Sequence, residues 1–524
     1  MGKLGKLIFK NTATNYLLLG TRMVSAVILT RIVFLGLGDQ YYGFWTLLWA
    51  IFGYSLLLDF GFGKTVQKYT AESTFSTDVE HYSKILSAVF FSYLSMSLLI
   101  ISFAFVMMFF IQDIFVLPPG ANIWYYRLSF ILFGIGISGV FPGGIFPEIL
   151  VGMKRHYLRN YIMLINTVLE FAGVYLIVKL DGSLLSLAIF AAIPNLLTNT
   201  MMAVTVFKLI PGLKISFSGL NMKTIREIAD FSVFAYIVSI AEMIIFKADR
   251  IVLGVMVGLA GVTVYQLGTR IPEIMSSLTM QFQENIPPLV ASLHKAGNRE
   301  KLQDMLFNSI RLTVFLSTCA LIIFGMLARQ IMHAWLKVSS ENVMFIVYIM
   351  LVSVYVMVAF RSSAINFLQM AGRHRLVAGL YVGESIANLS LSILLVFHFG
   401  VPGVAFGTLI PNVIISIFIV LPLAAKFCDQ SIWTYAWKVY LPAFLIGIPA
   451  ILFLKWITAV IPLNEWNLLL LVLAGPIAGL LYLLPGWAVF VRKEEKTKLL
   501  SVVPFIPHGI KSFLGGSAPD DLNP

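Results

Sequence analysis

The sequence is poor in charge and in cysteine. Only 12% of its 524 residues are Asp, Glu, Lys or Arg, whereas an ordinary soluble domain contains about 25%. Hydrophobic residues make up 59% of the chain, more than a soluble core could bury, so lipid must be the solvent for most of it. The two cysteines, Cys319 and Cys428, offer neither a disulfide framework nor the spacing of metal ligands.

The sequence also lacks the short motifs of common active sites. It has no HExxH, no CxxC pair and no serine elbow. Gly134, Gly136 and Gly139 match a dinucleotide fingerprint, but they lie inside an apolar segment, where close helix packing explains them better. The stretches between apolar segments are too short for a soluble catalytic domain. We therefore expect a protein that is not an enzyme, with no catalytic residue, metal site or bound cofactor.

Long apolar runs dominate what is present. We expect an all-α polytopic membrane protein with about fourteen membrane-spanning segments, because about 20 apolar residues are needed to cross a bilayer as a helix. The approximate bounds of segments 1 to 14 are 14–36, 41–63, 85–111, 123–151, 158–180, 183–208, 229–248, 250–283, 305–328, 343–370, 376–398, 401–425, 435–460 and 466–490.

Part of the chain occurs twice. The Arg-His pair at 155–156 corresponds to the pair at 373–374, which lies 218 positions further on. The Ile-Pro-Asn triplet at 193–195 corresponds to the one at 410–412. Because one period covers six segments, both copies keep the same orientation, as in the parallel repeats of transporters. The predicted organisation has two pseudo-symmetric six-helix lobes and two C-terminal helices: an N-lobe (1–218), a C-lobe (219–427), segments 13 and 14 (428–491) and a tail (492–524).

Basic residues gather on one side of the predicted segments. Most of the 37 Lys and Arg lie at the N-terminus, in every second turn and in the C-terminal tail. Cytoplasmic loops of membrane proteins are enriched in these residues, so both termini should lie in the cytoplasm, and the expected location is the cytoplasmic (inner) membrane. This topology accounts for the net charge of +12, and nucleic acid is not expected as a partner.

Three arginines are predicted within the inner half of the bilayer. Arg22, Arg270 and Arg361 fall in segments 1, 8 and 10, at broadly similar depths. Charged groups in membrane segments usually face a wet cavity or a partner. A guanidinium offers a planar fork that suits phosphate or pyrophosphate. The alternative for each arginine is that it pairs with a carboxylate on a helix or extends its side chain to the membrane interface.

Segment 8 carries further polar residues around Arg270. Their spacings of three and four residues place them in one stripe, which in a membrane helix is typical of a face that lines an aqueous cavity. Glu273 lies one turn from Arg270 and could pair with it. The predicted cavity-lining residues are Gln266, Thr269, Glu273, Ser277 and Gln281.

Segments 5 and 11 each carry an Asn and a Glu four residues apart. These pairs are Asn166 with Glu170 and Glu384 with Asn388. The repeat relates the two pairs, with the order of the residue types reversed. A carboxylate in this position could exchange a proton or help to hold Na⁺, whereas a structural hydrogen bond between helices is the alternative.

A group of charged residues ends segment 7 and begins segment 8. It comprises Glu242, Lys247, Asp249 and Arg250. We expect these residues to form a local ion-pair network at the outer surface.

The layout of the chain resembles a known group of transporters. The paired lobes, the two additional helices, the two Arg-His turns and the run from Asn15 through Arg22 to Asp59-Phe60-Gly61 are similar to the polysaccharide-exporter branch of the multidrug/oligosaccharidyl-lipid/polysaccharide exporter (MOP) superfamily. The similarity extends to the Wzx-type O-antigen flippases. It implies two lobes around a central cavity, alternating access and a polyprenyl-pyrophosphate-linked oligosaccharide as the substrate.

In the related lipid II flippases, arginines on helices 1 and 8 are thought to meet the pyrophosphate. Arg22 and Arg270 lie on the matching segments, whereas segment 2 offers only Asp59 in place of a third arginine. The resemblance thus implies that Arg22 and Arg270 bind pyrophosphate. From the residues themselves we expect Arg361 to join them, and Glu170, Glu384, Asn166 and Asn388 to serve coupling to H⁺ or Na⁺. The expected partners are the lipid-linked glycan, the bilayer, and a polymerase or ligase of the same pathway.

Three other functions remain open from the sequence. A cation-coupled multidrug exporter of the same architecture would need an acidic cavity, and the expected cavity is basic. A membrane glycosyltransferase, polymerase or ligase would usually carry acidic catalytic residues in a large outer loop, which the short outer turns do not provide. A membrane scaffold would leave the intramembrane arginines without a role.

Overall fold

The computed structural model describes residues 3–72, 78–180, 182–217, 233–280, 283, 290 and 299–490. The predicted tail (492–524) and the predicted cavity residue Gln281 lie outside the described residues. Within the described residues the chain is helical and contains no strand.

Twenty α-helices account for most of the described chain. They are α1 (Lys3–Gly53), α2 (Phe62–Ala71), α3 (Val79–Ile114), α4 (Ile123–Val140), α5 (Ile145–Gly152), α6 (His156–Leu180), α7 (Leu184–Phe190), α8 (Ile193–Leu209), α9 (Val233–Met256), α10 (Leu259–Met280), α11 (Arg299–Leu336), α12 (Glu341–Val356), α13 (Ser363–Met370), α14 (His374–Phe399), α15 (Val401–Val413), α16 (Leu421–Phe427), α17 (Ile432–Tyr435), α18 (Leu441–Ile446), α19 (Ile448–Val460) and α20 (Leu468–Phe490).

Short segments of other helical types join some of these helices. There are 3₁₀ segments at Tyr54–Asp59, Phe141–Gly144 and Leu463–Glu465, and π segments at Met357–Ser362, Ile414–Val420 and Ala436–Tyr440. The first two π segments each continue a longer helix, α12 into α13 and α15 into α16. A π turn inserts an extra residue into the ladder, and such turns are frequent at functional sites.

Eleven helical stretches in the described part are long and apolar enough to cross a membrane. The first of these, Lys10–Asp59, covers two predicted segments, which meet at Gly38 in a left-handed conformation (φ 71°) that glycine adopts readily. The predicted break between segments 7 and 8, at residue 249, is wrong, because α9 continues to Met256 and α10 begins at Leu259. Neither helix is among the eleven. The protein is therefore a multi-pass membrane protein, and the all-α polytopic fold is confirmed, whereas the number fourteen stays a prediction.

Internal contacts divide the chain into two compact units. Unit 1 comprises Met1–Gly268 and His374–Pro411, and unit 2 comprises Thr269–Arg373 and Asn412–Pro524. The boundaries of the two predicted lobes stay a prediction. One hydrophobic core of unit 1 joins α2, α3, α5 and the end of α8 around Val66, Leu86 and Ile149, which are fully buried.

Within unit 1, α1 makes a close approach to the start of α10. A Cβ atom at Gly43 would lie 2.1 Å from the carbonyl oxygen of Leu259, so glycine alone fits there. The hydroxyl of Thr263 donates to the carbonyl oxygen of Asp39 in the same contact. The turn before α10 contains Gly258 with φ 105°. We refer to this approach of α1 and α10 as the Gly43 contact.

Candidate functional site

Arg22 projects from α1 with an accessible side chain. Its Nη2 lies 3.3 Å from the sulfur of Met163 on α6, and it interacts electrostatically with Arg159 and Glu170 of the same helix. No carboxylate among the described residues comes within ion-pair distance of Arg22. The guanidinium is thus free to bind an anion.

Hydrogen bonds between side chains fix the N-terminal part of α1 against α6. The Asn11 amide donates to the carbonyl oxygen of Lys154 (2.9 Å) and accepts from the backbone N–H of Tyr157 (3.0 Å). The second bond gives α6 a side-chain cap, because this N–H has no partner within the helix. The fully buried Asn160 amide donates to Thr14 and Asn15. We call these bonds the asparagine ladder.

We expect Asn160→Ala to lower the stability of the protein measurably. The change removes two buried hydrogen bonds and leaves a small cavity, which together cost about 1–3 kcal/mol. Thermal unfolding in detergent would show a reduced midpoint, whereas Asn342→Ala, at an exposed position, should leave it unchanged. Equal midpoints for the two variants would contradict the structural role of the ladder.

Arg270 in unit 2 is partly exposed and paired with its neighbour. Its Nη1 lies 3.1 Å from Oε2 of Glu273, one turn further along α10, and the two side chains are 28% and 41% exposed. A pair of this exposure is worth less than about 1 kcal/mol, so an incoming phosphate can displace the carboxylate. Arg270 is therefore a candidate for anion binding through exchange of its Glu273 partner.

The predicted polar stripe around Arg270 is accessible only in part. Gln266 and Thr269 are buried (2% and 5% exposed) and do not line an accessible surface, contrary to expectation. They face the protein interior because this end of α10 packs on its neighbours. Glu273 is half-buried and Ser277 is exposed, as a lining residue requires.

Arg361 lies inside the protein. It sits in the π segment Met357–Ser362 and is only 4% exposed, so its fork does not reach an accessible surface. The adjacent Ser362 and Ser363 join a buried polar network of unit 2 that includes Gln283 and Thr313. Arg361 is therefore buried next to this network, whereas Arg22 and Arg270 are accessible.

A buried carboxylate in unit 1 was not singled out as a functional residue from the sequence. Asp249 on α9 is 3% exposed. It accepts hydrogen bonds from the hydroxyls of Tyr265, Thr408 (2.8 Å) and Ser392 (3.4 Å). No Lys or Arg of the described chain lies within ion-pair distance of it. The predicted outer-surface ion-pair network is thus wrong for Asp249, because its helix face packs against α14 and α15.

Other oxygen atoms converge on the same place. The Asn388 amide donates to the Thr408 hydroxyl (3.1 Å), while its own Oδ1 is buried and has no hydrogen-bond partner in the described part of the chain. The carbonyl oxygen of Val404 lies 3.4 Å from the hydroxyl oxygens of Ser392 and Thr408. We call the oxygen-bearing groups of Asp249, Asn388, Ser392, Val404 and Thr408 the oxygen cage.

The residues of the oxygen cage are of the types that could hold a small monovalent cation. Carboxylate, amide, hydroxyl and carbonyl oxygens are the ligands of hard cations, and backbone carbonyls serve Na⁺ in transporters. A single carboxylate balances one positive charge, and a buried carboxylate without a cation is costly. No cluster of three or more His, Cys, Asp or Glu suited to a metal is present among the described residues.

The structure separates the four residues predicted for ion coupling. Asn166 donates to Asn195 and Thr198 on α8, a structural bond between helices. Glu170 is accessible and lies in the electrostatic range of Arg22. Asn388 belongs to the oxygen cage, and Glu384 is buried one turn before it on α14.

Comparison with known proteins gives similarity of fold. No protein-family model and no curated protein sequence matches the chain. A solved structure of the lipid II flippase MurJ in an inward closed conformation matches with a TM-score of 0.66 and 16% sequence identity, over 90% of this chain and 97% of that one.

Two structures of multidrug resistance MATE family transporters of the MOP superfamily also match. The inward-facing structure has a TM-score of 0.63 and 15% identity, over 78% of this chain and 94% of that one. The outward-facing structure has a TM-score of 0.56 and 16% identity, over 81% and 96%. The chain therefore has the fold of these transporters.

Proposed function

We propose that the protein is a flippase that moves a polyprenyl-pyrophosphate-linked oligosaccharide from the inner to the outer leaflet of the cytoplasmic membrane. The proposed mechanism is alternating access, and the product serves assembly of a surface polysaccharide such as O-antigen. Arg22 carries the proposal, since it is an accessible guanidinium in a membrane helix with no ion pair among the described residues. An arginine inside a membrane segment usually marks a substrate or ion pathway, and its planar guanidinium can bind a phosphate through two hydrogen bonds.

Arg270 is the corresponding candidate in unit 2. Its weak pair with Glu273 keeps the guanidinium oriented until an anion replaces the carboxylate. Arg361 is left out of the proposed docking groups because it is buried. A lipid II flippase shares this fold, which supports a lipid-linked substrate without specifying the Wzx-type branch.

The oxygen cage is the proposed site of the coupling cation, Na⁺ or H⁺. Asn388 is common to this cage and to the coupling residues expected from the sequence, whereas Asp249 supplies the charge. Both termini are proposed to face the cytoplasm. A polymerase or ligase of the same pathway is the proposed protein partner.

A cation-coupled multidrug exporter is the second candidate function. The MATE transporters share the fold, and the oxygen cage would serve them equally well. The positive charges of Arg22 and the nearby Arg159 argue against a multidrug exporter, because they repel a cationic drug. A glycosyltransferase, polymerase or ligase is less well supported, because the matching structures are transporters.

Transport in proteoliposomes tests the proposal. Vesicles containing the full chain and a polyprenyl-pyrophosphate oligosaccharide are followed for exposure of the sugar on the far leaflet. Wild type should move the lipid, and Arg270→Ala should slow this movement about tenfold or more through loss of a charge-assisted bond to phosphate. Lys337→Ala, at an exposed position beyond the end of α11, is the control and should transport normally.

Two outcomes contradict the proposal. Wild-type protein that leaves the lipid-linked sugar in place but moves a soluble organic cation under an ion gradient would be a drug exporter. Normal flipping by Arg270→Ala at normal protein levels would remove Arg270 from the docking groups.

A further inference from the structure

A second arginine lies beside Arg22 on the facing helix. Met163, which touches Arg22 at 3.3 Å, follows Arg159 by four residues on α6. Residues four apart share a helix face and lie about 6 Å apart along the axis. The Met163 contact therefore places Arg22 within about one helical turn of Arg159, and the two arginines interact electrostatically.

Arg159 also has hydrogen-bonding capacity that no partner in the described part of the chain uses. It is partly exposed, and its Nε is buried without a hydrogen-bond partner in the part of the chain that the structure describes. No carboxylate of the described residues comes within ion-pair distance of it. Glu170, further along α6, is the carboxylate that interacts electrostatically with Arg22 among the described residues. Two positive charges and one negative charge leave this place net positive.

The asparagine ladder holds the two arginines in position. Asn160 follows Arg159 directly and is locked to Thr14 and Asn15 on α1. Asn15 precedes Arg22 by seven residues, two turns along the same face. Like charges repel, so this arrangement costs free energy that the ladder must offset. Such preorganised donors favour a ligand that carries the opposite charge.

We propose that Arg22 and Arg159 together bind the two phosphate groups of the pyrophosphate, and that Glu170 is the internal counter-charge which the substrate displaces. This inference rests on the proposed function and adds a specificity-determining residue that the sequence did not single out. One guanidinium can bind a single phosphate, whereas two at this spacing distinguish a diphosphate from a monophosphate.

Binding of two lipids to the full-length protein in nanodiscs tests the inference. The probes are a polyprenyl diphosphate and the polyprenyl monophosphate of equal chain length. Wild type should prefer the diphosphate by about tenfold or more. Arg159→Gln should bind both lipids with similar affinity, and Arg159→Lys, which keeps the charge but loses the fork, should retain part of the preference.

The matched control is Arg155→Gln, in the turn that precedes α6. Unchanged preference in this variant is expected, because only the charge of the turn changes. An equal loss of diphosphate preference in Arg155→Gln and Arg159→Gln would indicate a general basic patch and overturn the inference. Wild-type preference in a folded Arg159→Gln protein, verified by its unfolding midpoint, would also overturn it.

Glu170→Gln should change the affinity for the diphosphate in the opposite direction to Arg159→Gln. Loss of the counter-charge should strengthen binding of the diphosphate several-fold, which no misfolded variant would do. Unchanged or weaker binding contradicts the role of Glu170. If wild type neither binds nor flips the lipid diphosphate, both the proposed function and this inference are refuted. If wild type flips the lipid-linked sugar and Arg159→Gln still prefers the diphosphate over the monophosphate, only this inference is refuted.

Discussion

Asp249→Asn is expected to abolish the stabilisation of the protein by Na⁺ and the dependence of transport on an ion gradient. The substitution preserves the shape of the side chain but removes the single negative charge of the oxygen cage. The remaining ligands are neutral oxygens that compete poorly with water for a cation. Wild type at a Na⁺ concentration about 100 times Kd should gain about 2.7 kcal/mol of stability. The variant should gain none.

The measurement is the thermal unfolding midpoint in sodium chloride and in choline chloride at equal ionic strength. Asp113→Asn removes an exposed carboxylate near the end of α3 and is the control. It should respond to Na⁺ as wild type does. A full Na⁺ response in Asp249→Asn would exclude the oxygen cage as the cation site, and the absence of any response in wild type would exclude Na⁺ as its occupant.

Gly43→Ala is expected to destabilise the protein strongly, whereas Gly20→Ala in the same helix should stabilise it slightly. The added methyl at position 43 would lie 2.1 Å from the Leu259 carbonyl oxygen, a backbone atom that cannot rotate away. Overpacking of this kind costs about 1–3 kcal/mol or more. At Gly20 nothing lies within 4 Å of the added carbon, and alanine gains about 0.5–1 kcal/mol over glycine in a helix.

The unfolding midpoint should lie below that of wild type for Gly43→Ala and above it for Gly20→Ala. Because both changes are Gly→Ala in α1, helix propensity acts equally in each, and the difference reports the Gly43 contact alone. Equal midpoints for the two variants would show that α1 and α10 do not approach as closely as the structure indicates.

The sequence predicts the fold class well because hydrophobicity leaves little choice in a membrane. Every apolar run must close its own backbone hydrogen bonds, so a helix follows from composition and length. The break at Gly38 between segments 1 and 2 has a local cause, since the residue adopts a conformation typical of glycine. The number of spanning helices is harder to predict, because α9 and α10 carry enough polar residues to escape the usual criteria.

The site is predicted less well because burial and pairing depend on distant residues. Arg22, Arg270 and Arg361 have similar predicted depths, yet the first two are accessible and the third is buried. In the sequence, Asp249 is one member of a charge cluster, and the hydroxyls that surround it come from α10, α14 and α15. Its position at the end of an apolar run was the one available signal. In the sequence, Arg159 is one more basic residue close to the Arg155-His156 pair, and nothing there indicates that Arg22 lies near it.

The asparagine ladder has a consequence for synthesis of the chain. Asn15 leaves the ribosome 145 residues before Asn160, its partner in the hydrogen bond. At 5–20 residues per second, α1 waits roughly 7 to 30 s in the bilayer before α6 arrives. During this interval Asn11, Asn15 and Arg22 are without their α6 neighbours.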